Sequence, residues 1–261
     1  MTIFQSIILG IVQGLTELLP ISSSAHLFLI PYVLDWNIPE SFDVALHAGT
    51  LLAIGIFFFK DWINLLVGAY KQTIKKQKNP DGKMFWYIVL ATIPGGIIGF
   101  ILDKYCEDVL TKPLIIAIML IIMGIILYIV DKKAPSNTDY EDLSLKQTFL
   151  IGLSQALAFV PGVSRSGVTM TAGRLMGITR EATARYSFML SAPIVLAATV
   201  YKLKEFVIDI PFIIGVIVSF LVGILVIKLL LNYLKKGSFK AFAIYRVIVG
   251  ILVIIYCFCK V

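Results

Sequence analysis

Apolar runs of about twenty residues, each closed by charge or proline, recur along this chain at roughly 43–59, 84–102, 113–130, 183–201, 209–230 and 241–259. A helix rises 1.5 Å per residue, so each run matches the ~30 Å of hydrocarbon in a bilayer. Only helices or closed barrels satisfy their backbone in that medium, and runs of this length read as transmembrane helices. With 59% hydrophobic and 15% charged residues and a mean hydropathy of +0.92, the composition lies outside the soluble range. No hydrophilic stretch is long enough for a separate soluble domain. A single membrane domain over residues 1–261 is therefore expected, and nothing at the N-terminus has the basic region and cleavage site of a signal peptide.

Two segments remain outside the six runs. Residues 3–18 form a helical stretch too short to cross, stopped by Pro20 and a serine triplet, and an apolar course resumes over 24–34. Residues 145–160, broken at Pro161-Gly162 and resumed at 166–177, repeat that outline. Both read as re-entrant helix–loop–helix hairpins. The expected fold is an all-α polytopic membrane protein: six transmembrane helices plus two hairpins in an inverted-topology repeat, with halves 1–130 and 144–261.

Basic residues orient this layout, because cytoplasmic loops collect them. Lys60, Lys71, Lys75, Lys76, Lys78 and Lys83 place the next loop inside; Lys104 and Lys112 against Asp103, Glu107 and Asp108 place 103–112 outside; Lys132 and Lys133 return inside. Lys228, Lys235, Lys236, Lys240 and Arg246 complete the alternation, leaving both termini external. The first hairpin then dips in from outside and the second from the cytoplasm, so their tips can meet near mid-membrane. Orientation and attraction to anionic headgroups account for most of the +7 net charge. None of these basic residues is assigned to chemistry, and no nucleic-acid partner is expected. Cys106, Cys257 and Cys259 read as membrane-facing thiols.

Residues 9–27 overlay 151–169 at an offset of 142 without a gap, pairing Gly10/Gly152, Gln13/Gln155, Leu15/Leu157, Ser22/Ser164 and Ser24/Ser166. The differences carry the chemistry. Glu17 falls opposite Phe159, Ser23 opposite Arg165, and His26 opposite Val168. One half brings a carboxylate and an imidazole, the other a cation, and each lowers the burial cost of the other.

Gln13 and Glu17 lie one helical turn apart and share a face; a glutamate near a helix end could also simply reach headgroups. Ser22, Ser23 and Ser24 stand at the start of a half-helix, where hydroxyls cap free N–H groups and where an anion is equally well received. Ser164 and Ser166 repeat this beside Arg165, whose planar guanidinium suits phosphate. His26 is either a core hydrogen-bonder or, beside Glu17 and Arg165, a nucleophile or proton carrier. His47, without comparable partners in sequence, reads as structural. Gly10, Gly14, Gly95, Gly99, Gly167 and Gly173 read as close-packing positions.

The segments QGLTE with PISSSAH, and PGVSRSGVT, resemble the motifs of the bacitracin-resistance type undecaprenyl-diphosphate phosphatases: an (E/Q)xxxE segment with a serine-rich extension ending in His, and PGxSRSxxT. The likeness extends to FAIYR at Phe242–Arg246 and covers essentially the whole chain. It implies removal of the terminal phosphate of undecaprenyl diphosphate at the outer face of the bacterial plasma (inner) membrane, recycling a lipid carrier for cell-wall synthesis. It implies that Glu17 assists catalysis with a divalent cation, Mg²⁺ or Ca²⁺, that Ser23 and His26 line or attack the phosphate, and that Arg165 holds the diphosphate. Gln13, Ser22, Ser24, Ser164, Ser166 and Thr169 are its further substrate-binding positions, Thr169 adding a hydroxyl. The first acidic position, often Glu in the family, is Gln13 here, and an amide binds metal less strongly.

Phosphoryl transfer depends mainly on positioning and charge neutralisation, which this constellation offers. His26, the Ser23 hydroxyl and a water oriented by Glu17 are all candidate nucleophiles. Membrane lipids are the other expected partner, and a homodimer is an expected assembly. The rival reading is a secondary transporter or lipid-phosphate flippase, since broken helices in inverted repeats serve transport as well.

Overall fold

A computed structural model describes residues 1–110 and 112–259, with backbone alone for 99, 100 and 102–110. Among the described residues eleven α-helices follow in order: α1 (Ile3–Thr16), α2 (Ser23–Leu34), α3 (Glu40–Phe57), α4 (Phe59–Thr73), α5 (Pro80–Leu110), α6 (Pro113–Lys133), α7 (Leu145–Ser154), α8 (Arg165–Leu175), α9 (Arg180–Lys202), α10 (Ile210–Leu234) and α11 (Lys240–Cys259). Short 3₁₀ turns lie at Tyr140–Asp142, Gln155–Phe159 and Leu203–Glu205. Among the described residues no strand occurs, only an isolated bridge between Thr138 and Ile178. The chain is an all-helical polytopic membrane protein.

Five helices among the described residues are long and apolar enough to cross a bilayer: Glu40–Phe57, Pro113–Lys133, Arg180–Glu205, Ile210–Leu234 and Lys240–Cys259. They coincide with five of the six expected runs. The sixth, 84–102, falls within the 31 residues of α5, part of which lies outside the described side chains, as do Cys106 and the acidic residues of the expected 103–112 loop. Two differences stand out. The backbone of α5 stays helical through that loop to Leu110, and the basic loop after residue 59 contains α4. Phe58 breaks α3 from α4; α4 then buries Leu65, Gly68 and Ala69 and leaves Lys60, Lys71 and their neighbours exposed. That one-sided pattern makes a helix out of what charge counting reads as a loop.

The two broken helices are local consequences of sequence. Thr2 opens α1 with a capping box to Gln5, and Ser144 opens α7 with the same box to Gln147, a correspondence that extends the 142-residue offset beyond the overlaid segment. α1 ends before Pro20 and α7 runs into a 3₁₀ turn before Pro161, because proline withholds an N–H and crowds the preceding turn. Ser22 and Ser164 then adopt φ of 76° and 73°. Each accepts a bond from the N–H three residues on, Ala25 and Gly167, and each contacts the serine two residues on. A left-handed non-glycine residue costs on the order of 1–3 kcal/mol, and it recurs at the same point of both segments.

Packing is reciprocal between the halves. α1 lies along α10 and α3, α7 along α5, α3 against α9, and α6 against α11, while α8 meets α6 and α9. Asp131, 3% exposed at the end of α6, accepts from Arg174 of α8, Arg180 of α9 and the Phe239 N–H ahead of α11. Close approach at the repeat-related glycines makes the reciprocity possible: a Cβ on Gly10 would stand 2.8 Å from the Gly215 carbonyl oxygen of α10, and one on Gly152 would strike the backbone of Ala91 on α5. Gly152→Val is expected to destabilise the protein by roughly 1–3 kcal/mol, the usual cost of overpacking, read as a lower melting temperature in detergent. An unchanged melting curve would show that the α5–α7 contact contributes nothing.

Candidate active site

Glu17, at the end of α1, is the centre of a buried polar cluster. It is 6% exposed. Its Oε1 accepts from Arg165 Nη2 at 2.6 Å. Its Oε2 accepts from Ser23 Oγ at 2.6 Å and from Gln13 Nε2 at 3.2 Å, and His47 Nε2 lies 3.3 Å away. The carboxylate thus joins both breaks: Ser23 opens α2, and Arg165 opens α8, 148 residues further along the chain. Burying an acid and a base separately would cost several kcal/mol each, so the pair is mutually required.

A cavity of about 260 Å³ adjoins this cluster. Glu17, Ser23, Ser24, His47, Gln155, Ser164 and Arg165 supply its polar wall, and side chains including Val44, Phe159, Ile194, Val195 and Ala198 supply an apolar one. The starts of α2 and α8 border it, and helix starts present N–H groups without intrahelical acceptors, a setting that favours anions. Arg165 also donates to the Ser187 carbonyl at 3.4 Å; with five N–H groups in a guanidinium, donors remain for a ligand.

Of the residues singled out in sequence, Glu17, Ser23, Ser24, Ser164 and Arg165 come together on the cavity. The others stand behind it. Gln13 holds Glu17 and contacts Thr50, and Ser22 caps α2. Ser166 donates to the Leu19 carbonyl of the other segment at 2.9 Å, and Thr169 Oγ1 bonds Ser187 Oγ at 2.7 Å. His26 is outside the cavity lining: Nδ1 bonds the Ser22 carbonyl and Nε2 the Tyr245 hydroxyl, both at 2.7 Å, with the rings stacked. Both ring nitrogens of His26 thus have partners within the fold.

Two histidine and arginine positions differ from expectation. His47, read as structural, lines the cavity and meets Glu17, with Nδ1 fixed 2.8 Å from the Asp43 carbonyl oxygen; it stands one turn from both Asp43 and Thr50 on α3. Arg246, grouped with loop lysines, is 0% exposed inside α11. It donates to the carbonyls of Pro20 in the first break and of Gly162 and Val163 in the second, at 3.1, 2.7 and 3.0 Å, and to Leu120 at 3.3 Å. Gly167 makes room, since a Cβ there would lie 2.6 Å from Nη1. An arginine well inside an apolar run was itself the available signal, because such a residue is almost always paired and functional or structural.

The donor set does not fit a divalent ion held by the protein alone. Both oxygens of Glu17 are engaged by cationic or neutral donors, Gln13 turns its amide nitrogen toward it, and among the described residues no group of three or more His, Cys, Asp or Glu could hold a metal.

Beyond geometry, a family model described as bacitracin resistance protein BacA matches residues 6–252. The chain belongs to the BacA family. Among its relatives, a protein named undecaprenyl-diphosphatase from Pelotomaculum thermopropionicum is 49% identical over 259 residues, covering 98% of this chain and 97% of that one. Proteins of the same name from Moorella thermoacetica and Caldicellulosiruptor bescii are 45% and 47% identical, covering 97% and 94% of both chains respectively. The family resemblance read from the two motifs is thus borne out over nearly the whole length.

Proposed function

We propose that this member of the BacA family is an integral membrane phosphatase that hydrolyses undecaprenyl diphosphate to undecaprenyl phosphate and phosphate, recycling the carrier lipid for cell-wall synthesis. The observation that carries the reading is the Ser23–Glu17–Arg165 constellation on a cavity with one polar and one apolar wall. Relatives spanning the whole chain are named for this hydrolysis, and no observation favours the transporter or flippase alternative.

In the proposed chemistry Arg165 and the starts of α2 and α8 take the phosphate charge, with Ser24 and Ser164 as hydroxyl contacts and Gln13, Ser22, Ser166 and Thr169 holding the breaks in shape. Ser23 Oγ attacks the terminal phosphorus as its proton passes to Glu17, the bridging P–O bond breaks, and undecaprenyl phosphate leaves with the electron pair. Glu17 hands that proton to the departing undecaprenyl phosphate; a water, deprotonated by the regenerated carboxylate, then attacks the phosphorus, and the Ser23 Oγ–P bond breaks as Oγ regains a proton from Glu17. His26 supports α2 through Tyr245. Since the residues alone do not form a metal site, Mg²⁺ or Ca²⁺ enters the proposal as an ion carried by the diphosphate, the usual mode for Mg²⁺ with phosphates, and no step depends on it.

The proposed setting is the bacterial plasma membrane, with six spans and re-entrant hairpins of opposite orientation at α1–α2 and α7–α8, which the lysine distribution supports, and with the cavity reached from the outer side, as the family resemblance implies. A homodimer is the proposed assembly, with cross-linking in intact membranes as its check. The deciding experiment is phosphate release from undecaprenyl diphosphate by purified protein in detergent, with and without EDTA, followed by acid quench and mass analysis of Ser23. Release with phosphate trapped on Ser23 is expected. No release under any metal condition would sink the phosphatase; release in which trapping fails and water attacks directly would remove the covalent step.

A further inference from the structure

Gln155 and Gln13 occupy the same place in the two repeated segments, and the Oε1 of both is buried without a partner, yet only Gln13 has its amide nitrogen paired. Gln13 Nε2 donates to Glu17, four residues on, and reaches Thr50. The residue four beyond Gln155 is Phe159, the position where the second segment replaces the carboxylate by a ring. Gln155 is accordingly left with both amide atoms buried and without a hydrogen-bond partner. It is 1% exposed and lines the cavity beside Ser164 and Arg165. Its neighbour across α5 is Gly95, where a Cβ would stand 3.4 Å from Nε2 and where no side chain exists to accept a bond.

A buried amide with neither donor nor acceptor satisfied is a rare and costly feature, and in a cavity its natural complement is a ligand. The adjacent arginine and serines make that ligand anionic. Resting on the phosphatase reading, we infer that Gln155 is a substrate-binding residue whose Nε2–H donates to an oxygen of the lipid diphosphate, adding to Arg165 and Ser164 on the α7–α8 side of the cavity. The second segment lacks the Gln–Glu pair of the first, which leaves its amide for substrate.

The test separates this role from a structural one. Gln155→Met keeps the length and removes the polar atoms. Since an unpaired buried amide contributes nothing favourable to the ligand-free fold, its replacement by an apolar group of similar shape is expected to leave the melting temperature unchanged or higher. Over the same substitution kcat/KM for undecaprenyl diphosphate is expected to fall about tenfold, the worth of one hydrogen bond to a charged group, and Gln155→Glu, which opposes the phosphate charge, is expected to lower it further. A lower melting temperature for both Gln155→Met and Gln155→Leu would make the amide structural and overturn the inference. So would an unchanged kcat/KM in Gln155→Met. A wild type without phosphatase activity would instead overturn the functional reading itself, so the two failures are distinguishable.

Discussion

Arg165→Ala and Glu17→Gln are each expected to lower phosphate release by roughly 10²–10³-fold, the usual cost of removing a preorganised group aimed at developing charge. Arg165 is the cavity's cation, and Glu17 is at once its counter-ion and the acceptor for the Ser23 hydroxyl at 2.6 Å. The two losses differ in kind. Arg165→Ala strands a carboxylate that is 6% exposed, and breaking a buried pair from one side costs about 3–5 kcal/mol. Glu17→Gln keeps the length and much of the hydrogen bonding but leaves the arginine without its partner charge. The double variant removes both charges and is expected to recover much of the melting temperature lost in Arg165→Ala while remaining inactive. Full activity in either single variant would mean that phosphate binds elsewhere.

Arg246→Leu is expected to prevent accumulation of a stable fold. The guanidinium serves four carbonyl oxygens, three of them in the two helix breaks. Each carbonyl left unpaired in a buried site costs about 1–3 kcal/mol, which together approaches the whole stability of a typical domain, ~5–15 kcal/mol. Loss of the monodisperse peak in size exclusion, or a melting temperature lower by at least about 10 °C, would bear this out. Arg246→Lys is expected to fail as well, because an ammonium on a flexible stem cannot replace a planar fork. A well-folded, active Arg246→Leu would show that the breaks hold their shape without a common donor.

The architecture was largely legible because its rules are those of the bilayer. Five of the six expected runs are helices of span length among the described residues, and both breaks fall at Pro20 and at Pro161-Gly162, where proline chemistry demands them. Glu17, Ser23 and Arg165 were legible as polar groups set into apolar surroundings, and the 142-residue offset set Ser23 opposite Arg165. What escaped were residues whose role comes from distant segments. His47 has no sequence neighbour that announces Glu17. Arg246 follows a run of lysines, and counting charge treats a buried fork and a solvated ammonium alike. Nor did its motif announce that the ring nitrogens of His26 would be held by Ser22 and by Tyr245, 219 residues away. Gln155 appeared in the overlay only as an identity, and its significance lies in the non-identity four residues later.

The reciprocal packing carries a consequence for biosynthesis. α1 is held by α10, as in the bond from Ser6 Oγ to the Pro211 carbonyl 205 residues away. At translation rates of about 5–20 residues per second, α10 emerges some 10–40 s after α1. Until then a short helix bearing Ser6, Gln13 and Glu17 has neither the length to cross nor the partner that later covers it. The nascent chain must wait at the interface or beside an insertion factor, and its native topology is completed late rather than helix by helix.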